Sequence, residues 1–337
     1  MVLNTLWFFL IAVLFTGFFV LEGFDFGVGM LSPFIGRSED ERRLLVNTIG
    51  PFWDGNEVWL LTAGGAMFAA FPDWYATLFS GFYIALFLLV LSLMVRGVSF
   101  EFRSKRPDSR WRKSWDRALF VGSLLPPLLW GVALANLMKG VPINAHMQDT
   151  GSFWSLLNPY SLVGGVAMVL LFLLHGSLFL SLRTHGELQL RARAAARRIG
   201  VWTTIAMFVF IIMSYFYTDM FTKQGILPGP VPVLAGFALI SIPFLIRNNK
   251  DGWAFMMSIL TVILSIATVF LALFPNVMIS SLNPAWNLTI YNAASNPYSL
   301  TVMTIVALTL LPFVLAYQAW TFWVFRKRLT LQDELHY

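Results

Sequence analysis

Nine stretches of about 20 mainly apolar residues, separated by polar connections, constrain this chain more than any other feature. Their approximate limits are 6–32, 51–71, 74–97, 118–138, 160–182, 201–221, 228–246, 253–274 and 299–325. A hydrocarbon layer about 30 Å thick offers no water to backbone N–H and C=O groups. A segment that crosses it must satisfy them within its own helix, which takes roughly 20 residues at about 1.5 Å each. The chain is therefore read as an all-α integral membrane protein with nine transmembrane helices. With 58% hydrophobic and 12% charged residues, it has no hydrophilic stretch long enough for a separate soluble domain. A single polytopic membrane domain is expected over 1–337, with helices 1–4 within about 6–138, helices 5–8 within about 160–274 and helix 9 at about 299–325. The opening MVLNTLWFFLIAVLFTGFFV has neither a basic leader nor a small-residue cleavage motif, so it reads as a first membrane helix rather than a removable signal.

The formal charge of +6 and a pI near 9.7 would by themselves admit a nucleic-acid partner. Of the 23 Lys and Arg, however, all but Lys139 and Lys223 fall on alternate connections and the C-terminal tail. The positive-inside rule assigns that side to the cytoplasm, with the N-terminus outside and the C-terminus inside, and removes nucleic acid as a partner. Trp202, Trp253, Trp320 and Trp323 near the cytoplasmic ends, and Trp7, Trp74, Tyr75 and Trp154 near the outer ends, fit interfacial anchoring. Trp53, Trp59 and Trp130 lie within spans, where an indole either packs in the core or meets a bound ring. The weakly charged connections 139–158 and 275–298 are expected to fold over the outer mouth. NPYSL occurs at 158–162 and 296–300, each at the start of a span, where Asn followed by Pro is good helix-start chemistry.

Four acids stand out within this apolar framework. Glu22 and Asp25 lie on the first span and Asp54 and Glu57 on the second, each pair at i, i+3 and so on one side of its helix. The first span runs inward and the second outward, which brings both pairs to the cytoplasmic half, with Asp25 roughly 12 Å before Pro33. A carboxylate near a helix centre costs about 2.5–3.5 kcal/mol, so four facing lipid would cost on the order of 10 kcal/mol. They must face protein, water or a partner. Two explanations stay open for each pair: Asp54 also fits the positive end of a helix beginning at Pro51, and Glu22 and Asp25 also fit an ion pair with Arg96. Clustered intramembrane acids otherwise mark a proton or cation path. Gly23, Gly27, Gly64 and Gly65 flank these acids, and close helix packing accounts for them.

There is no cysteine, which excludes disulfides and thiolate chemistry. Of His146, His175, His185 and His336, only His175 lies clearly within a span, and one histidine cannot supply paired axial ligands to a haem. It reads as a hydrogen-bonded interior residue. No phosphate loop, nucleophile elbow or metal-spaced histidine pair is present, so no cofactor is expected on this chain alone.

EGFDFGVGML at 22–31, WDGNEVWLLTAGGAMFAAFP at 53–72, FSGFYIALFLLVLSLMVRGVSFEFRSK at 79–105, RWRKSWD at 110–116 and GELQLRARA at 186–194 closely resemble subunit II of the bacterial cytochrome bd quinol oxidases. The WDGN-x-VWL and GFD-x-GVGM blocks are the most specific, and the similarity runs from the first helix to the end. The resemblance implies nine spans arranged as two four-helix bundles plus one peripheral helix, in the bacterial cell membrane. It implies a heterodimer with a subunit I that carries two haems b, haem d and the quinol-oxidising loop, this chain being the haem-free partner. A small single-helix third subunit and a structural quinone occur within what the family allows. By motif, Asp25 and Asp54 match acids of a proton path near the subunit interface, and Glu22 matches an acidic position. Some members carry a neutral amide at the position of Glu57, which leaves its necessity open.

Two rival functions remain at this stage. In a proton-coupled secondary transporter the acids would bind H⁺ beside a midplane solute site, although no broken helices in matching halves are seen. A purely structural partner for haem assembly would leave the acids dispensable.

Overall fold

A computed structural model describes residues 2–221, 229–330 and 332–333. Lys223, His336 and residue 228, the first of one expected span, lie outside the described residues. In chain order the helices are α1 (Val2–Ile35), α2 (Glu39–Ile49), α3 (Trp53–Ala70), α4 (Pro72–Gly81), α5 (Tyr83–Phe102), α6 (Ser109–Lys139), α7 (Phe153–Leu156), α8 (Pro159–Arg183), α9 (Gly186–Tyr217), α10 (Pro230–Arg247), α11 (Asp251–Leu273) and α12 (Pro297–Val324). Eight helices among the described residues are long and apolar enough to cross a bilayer, the α5 span being counted through Lys105. The remaining expected span, 51–71, coincides with α3. It is helical over 18 residues, but Asp54, Asn56 and Glu57 dilute its first turns.

Helix α1 runs through the middle of the molecule. It packs against α3, α6, α8 and α11, and α5 packs on α6; α8, α9, α10 and α11 form the second group, while α12 lies at the periphery against α1 and α3. This is two four-helix groups plus one outlying helix. From Glu22 to Ser32 every residue of α1 is buried, so this stretch touches protein all round. Close approach makes that possible: a Cβ on Gly27 would lie within 2.8 Å of the Cα and N of Gly176 on α8. Gly23 meets the ring of Phe172 in the same crossing. The packing expected of Gly64 and Gly65 is not found within this chain, since a Cβ on either would meet nothing within 4 Å. Trp130 packs edge-on to Phe15, Phe18 and Phe19 with its buried indole N–H unpartnered, while Trp53 stacks on Phe100 at 4.9 Å.

Both NPYSL segments begin helices as their chemistry dictates. Asn158 and Asn296 are N-caps that accept the N–H of Ser161 (3.2 Å) and Ser299 (2.9 Å), each followed by Pro at the first helical position. The connections at the basic end are more ordered than a loop reading implies. Helices α6 and α9 continue beyond the apolar spans and carry RWRKSWD and GELQLRARA as helix. Ion pairs hold these extensions together: Arg103 with Asp116 (2.6 Å) and Glu39 (2.9 Å), Arg42 with Asp116 (3.3 Å), and Arg193 with Asp251 (2.6 Å). At the opposite end the two long connections fold onto each other. Val141 and Ile279–Ser281 exchange backbone bonds of 3.0 and 2.9 Å, next to a two-stranded antiparallel pair, Asn276–Met278 with Leu288–Thr289.

Helix α2 was invisible to span counting because it is polar and short. A capping box starts it: Ser38 Oγ accepts the N–H of Glu41 (3.1 Å), and the Glu41 carboxylate accepts the N–H of Ser38 (3.3 Å). Glu41 is also gripped by the guanidinium of Arg191 from α9. That hydrogen bond, aided by the N–H groups of Arg37 and Ser38 and opposed by partial burial, holds the Glu41 carboxyl down at about 2. An unfolded Glu titrates near 4.3, so between the two values the unfolded chain binds more protons. The clamp therefore stabilises α2 fully above about pH 4.3 and loses its effect as pH falls toward about 2. Glu41→Gln should raise hydrogen exchange over 38–49 at neutral pH and flatten its acid dependence. A variant that keeps the parent's acid profile would refute this assignment.

Candidate functional site

The site is built where α1, α3 and α5 meet in the half of the molecule nearer the basic end. Glu22 and Asp25 are on the buried stretch of α1, Arg96 is on the inward side of α5, and α3 contributes Asn56 and Glu57. Glu22, Asp25, Asn56 and Arg96 are all fully buried. The Arg96 guanidinium is paired with Glu22 Oε1 and lies 3.8 Å from Glu57 Oε2. Its Cζ lies over the Phe26 ring, 4.9 Å from the centroid, and over that of Phe100 at 5.3 Å, a setting that suits a desolvated guanidinium. Asp25 Oδ2 accepts a 2.7 Å hydrogen bond from Asn56 Nδ2. Asn56 Oδ1 in turn accepts one of 2.9 Å from Gln318 Nε2 on α12.

Four buried polar atoms of this cluster take no bond from a donor or acceptor of the ordinary kind: Glu22 Oε2, Asp25 Oδ1, and Arg96 Nε and Nη2. Glu22 and Asp25 are one turn apart on the same buried stretch of α1, so the two acids sit in one enclosed part of the molecule. Buried polar groups are usually paired, so four unpaired atoms in one cluster mark it as the candidate site.

Of the residues singled out by sequence, the fold brings Glu22, Asp25, Glu57 and Arg96 together and leaves Asp54 apart. Asp54 sits in the first turn of α3 and is exposed on this chain's surface. The reason is rotational. Helix α3 buries Asn56, Ala63, Met67 and Ala70, and at about 100° per residue Asp54 points roughly 200° away from Asn56. Glu57, at about 100°, lies between the two directions and is partly exposed. Sequence reasoning missed Asn56 and Gln318. A polar amide two residues from Asp54 was the available signal for Asn56, whereas Gln318 is 262 positions away and carried none. His175 is buried on α8 with both ring nitrogens engaged, by Ser258 Oγ at 2.8 Å and the Val20 carbonyl at 3.0 Å, as an interior histidine should be.

Comparison with known proteins assigns this architecture. The family model of cytochrome bd terminal oxidase subunit II matches residues 3–325. The chain belongs to that family. Within the cytochrome bd subunit II family it is 50% identical over 335 residues to the Bacillus subtilis cytochrome bd ubiquinol oxidase subunit 2, covering 99% of both chains. It is 41% identical to the Escherichia coli K12 cytochrome bd-I ubiquinol oxidase subunit 2, over 98% of this chain and 96% of that one. A chain of the bd oxidase from Geobacillus thermodenitrificans superposes with a TM-score of 0.76 over 97% of this chain and 100% of its own, at 20% identity, which speaks to the fold alone. Of the segments quoted above, GFD-x-GVGM carries Asp25, and WDGN-x-VWL carries Asn56 and Glu57 together with the outlying Asp54.

Proposed function

We propose that this chain is the haem-free subunit of a bacterial quinol:oxygen oxidoreductase. It pairs with a haem-bearing subunit I and admits from the cytoplasm the protons that reduction of dioxygen to water consumes. One observation carries this reading: Glu22 and Glu57 share the guanidinium of Arg96, and Asp25, one turn from Glu22 on α1, is buried beside them with one oxygen that has no hydrogen-bond partner. One guanidinium cannot compensate every carboxyl of this cluster, and an intramembrane acid without a full counter-charge is a group that can take up and release a proton. Asp54 stands at the chain's surface and the Glu22–Asp25 pair inside, with Glu57 bridging them. An acid on the outer side of a membrane helix is disfavoured against lipid, which supports subunit I covering the side of α3 that carries Asp54.

The haems b and d of the partner supply electron transfer from quinol and the reduction of dioxygen. Both nitrogens of His175 are committed to hydrogen bonds, so its ring does not suit an iron ligand, and every step assigned to this chain is a proton step. A groove of about 680 Å³ between α1, α3, α11 and α12 is apolar except at Thr16 and Gln318. Phe9, Trp59, Phe270 and Phe322 on its walls fit the tail of a structural quinone, which would serve there as packing. Nothing favours transport, because α1 and α5, which carry Glu22, Asp25 and Arg96, are unbroken helices.

In the assembled complex, Asp25→Asn and Asp54→Asn should each slow oxygen reduction by on the order of 10²-fold while haem content per complex stays near that of the parent. Oxygen-electrode turnover and the haem spectrum of the same preparation decide the matter. Equal loss of both would assign the acids to assembly instead.

A further inference from the structure

We infer that Asn56 is a positioning residue that determines which oxygen of Asp25 carries the exchangeable proton, and that Gln318 of the peripheral helix sets the orientation of Asn56. The inference rests on the proton-path reading and adds to it two residues and one oxygen atom.

The chemistry of the contacts fixes the direction of every hydrogen bond. Asn56 approaches two groups of α1 from the same end of its amide, Asp25 Oδ2 at 2.7 Å and the Leu21 carbonyl at 3.2 Å. A peptide carbonyl only accepts, so the amide end facing it is the NH₂ group, and both of its hydrogens are committed to α1. The amide oxygen then faces Gln318 Nε2 at 2.9 Å, again an acceptor meeting a donor. Because an amide nitrogen does not accept, Asp25 Oδ2 cannot direct a proton at Asn56. Oδ2 is thereby held as an acceptor in either protonation state. Only Oδ1, buried, without an N–H or hydroxyl donor and on the side of Asp25 not used by Asn56, is left to hold and release the proton. Glu22, one turn away on α1, also has an unpaired buried oxygen, Oε2, so a second carboxyl with spare capacity lies on the same buried stretch of helix.

The role of Gln318 follows from the symmetry of the amide. Turning Asn56 over would put its oxygen against the Leu21 carbonyl and Asp25 Oδ2, two acceptors facing an acceptor. Gln318 adds to that preference by donating to Asn56 Oδ1, and it reaches the site from α12 across the groove between α1 and α3. The outermost helix is thus joined by two hydrogen bonds in series to an acid on the innermost one.

The test uses the assembled oxidase carrying Asn56→Ala, Gln318→Leu or Gln318→Glu, with Asp25→Asn as reference. Infrared difference spectra across a pH step give the carboxyl C=O band that Asp25→Asn abolishes, and turnover is measured on the same samples. With the proton on Oδ1, Oδ2 is the carbonyl oxygen bonded to Asn56, so Asn56→Ala should move that band to higher wavenumber and slow turnover about two- to tenfold, the weight of one hydrogen bond. Gln318→Glu offers Asn56 an acceptor instead of a donor and favours the turned amide, so it should slow turnover more than Gln318→Leu does. If Asp25→Asn is slow but the band and turnover of Asn56→Ala match the parent, this inference fails and the proton path stands. If Asp25→Asn turns over like the parent, the proton path itself fails. Should Asn56→Ala not assemble, the order of the two Gln318 variants decides: equal turnover overturns the inference.

Discussion

Arg96→Met should destabilise the subunit by about 3–5 kcal/mol, enough to remove most folded protein from the membrane. Arg96 is fully buried, pairs with Glu22 and is within 3.8 Å of Glu57. Methionine fills a similar volume between the rings of Phe26 and Phe100, so packing is largely kept while the cation paired with these carboxyls is lost. The deficit is therefore electrostatic: Glu22 and Glu57 are left buried or half-buried without a counter-charge. Thermal unfolding followed by size-exclusion chromatography in detergent measures the loss. The double change Arg96→Met with Glu22→Gln should recover part of it, because the orphaned charge goes with its partner. A single variant as stable as the parent would mean that the pair is solvated and would remove the basis for treating the cluster as a low-dielectric site.

The second large effect is expected at the crossing of α1 and α8. Gly27→Val puts branched carbon onto the Phe172 carbonyl and within 2.8 Å of the Gly176 backbone. Backbone cannot swing aside as a side chain can, so the helices must separate along their length. Overpacking in a close-packed interior typically costs 1–3 kcal/mol, and two backbones in contact put this site at about 3 kcal/mol or beyond. Separation would also stretch the His175 bond to the Val20 carbonyl and displace Glu22 and Asp25, which share the helix with Gly27. Both a lower unfolding temperature and slower oxygen reduction are thus expected together in the assembled complex. A Gly27→Val oxidase with parental stability and rate would show that the crossing tolerates a wider spacing.

Much of this architecture is written locally in the chain. Runs such as 253–274 are apolar on every side and close their own backbone hydrogen bonds, so each span is legible without knowledge of its neighbours. Caps are equally local: Asn158–Pro159 and Asn296–Pro297 start helices by chemistry confined to four residues. Even the presence of a site was legible, since Glu22, Asp25, Asp54 and Glu57 have no low-energy place in lipid. What the chain does not write locally is azimuth. In a soluble amphipathic helix the polar face marks the outside, but α1 is buried on all sides around Asp25 and α3 is apolar almost all round, so neither pattern states which side meets which neighbour.

Sequence by itself therefore determined an all-helical membrane subunit, its capped span boundaries, its motif family and the acids that lipid will not accept. Tertiary structure alone decided that Glu57 joins the Arg96 cluster while Asp54 turns outward, that α2 is clamped through Glu41 and Arg191, and that hydrogen bonds link Gln318 to Asn56 and Asn56 to Asp25. The division has one physical cause. Burial of backbone polar groups is solved within each helix, whereas the direction a side chain faces is settled only when helices 31 to 262 positions apart pack against one another.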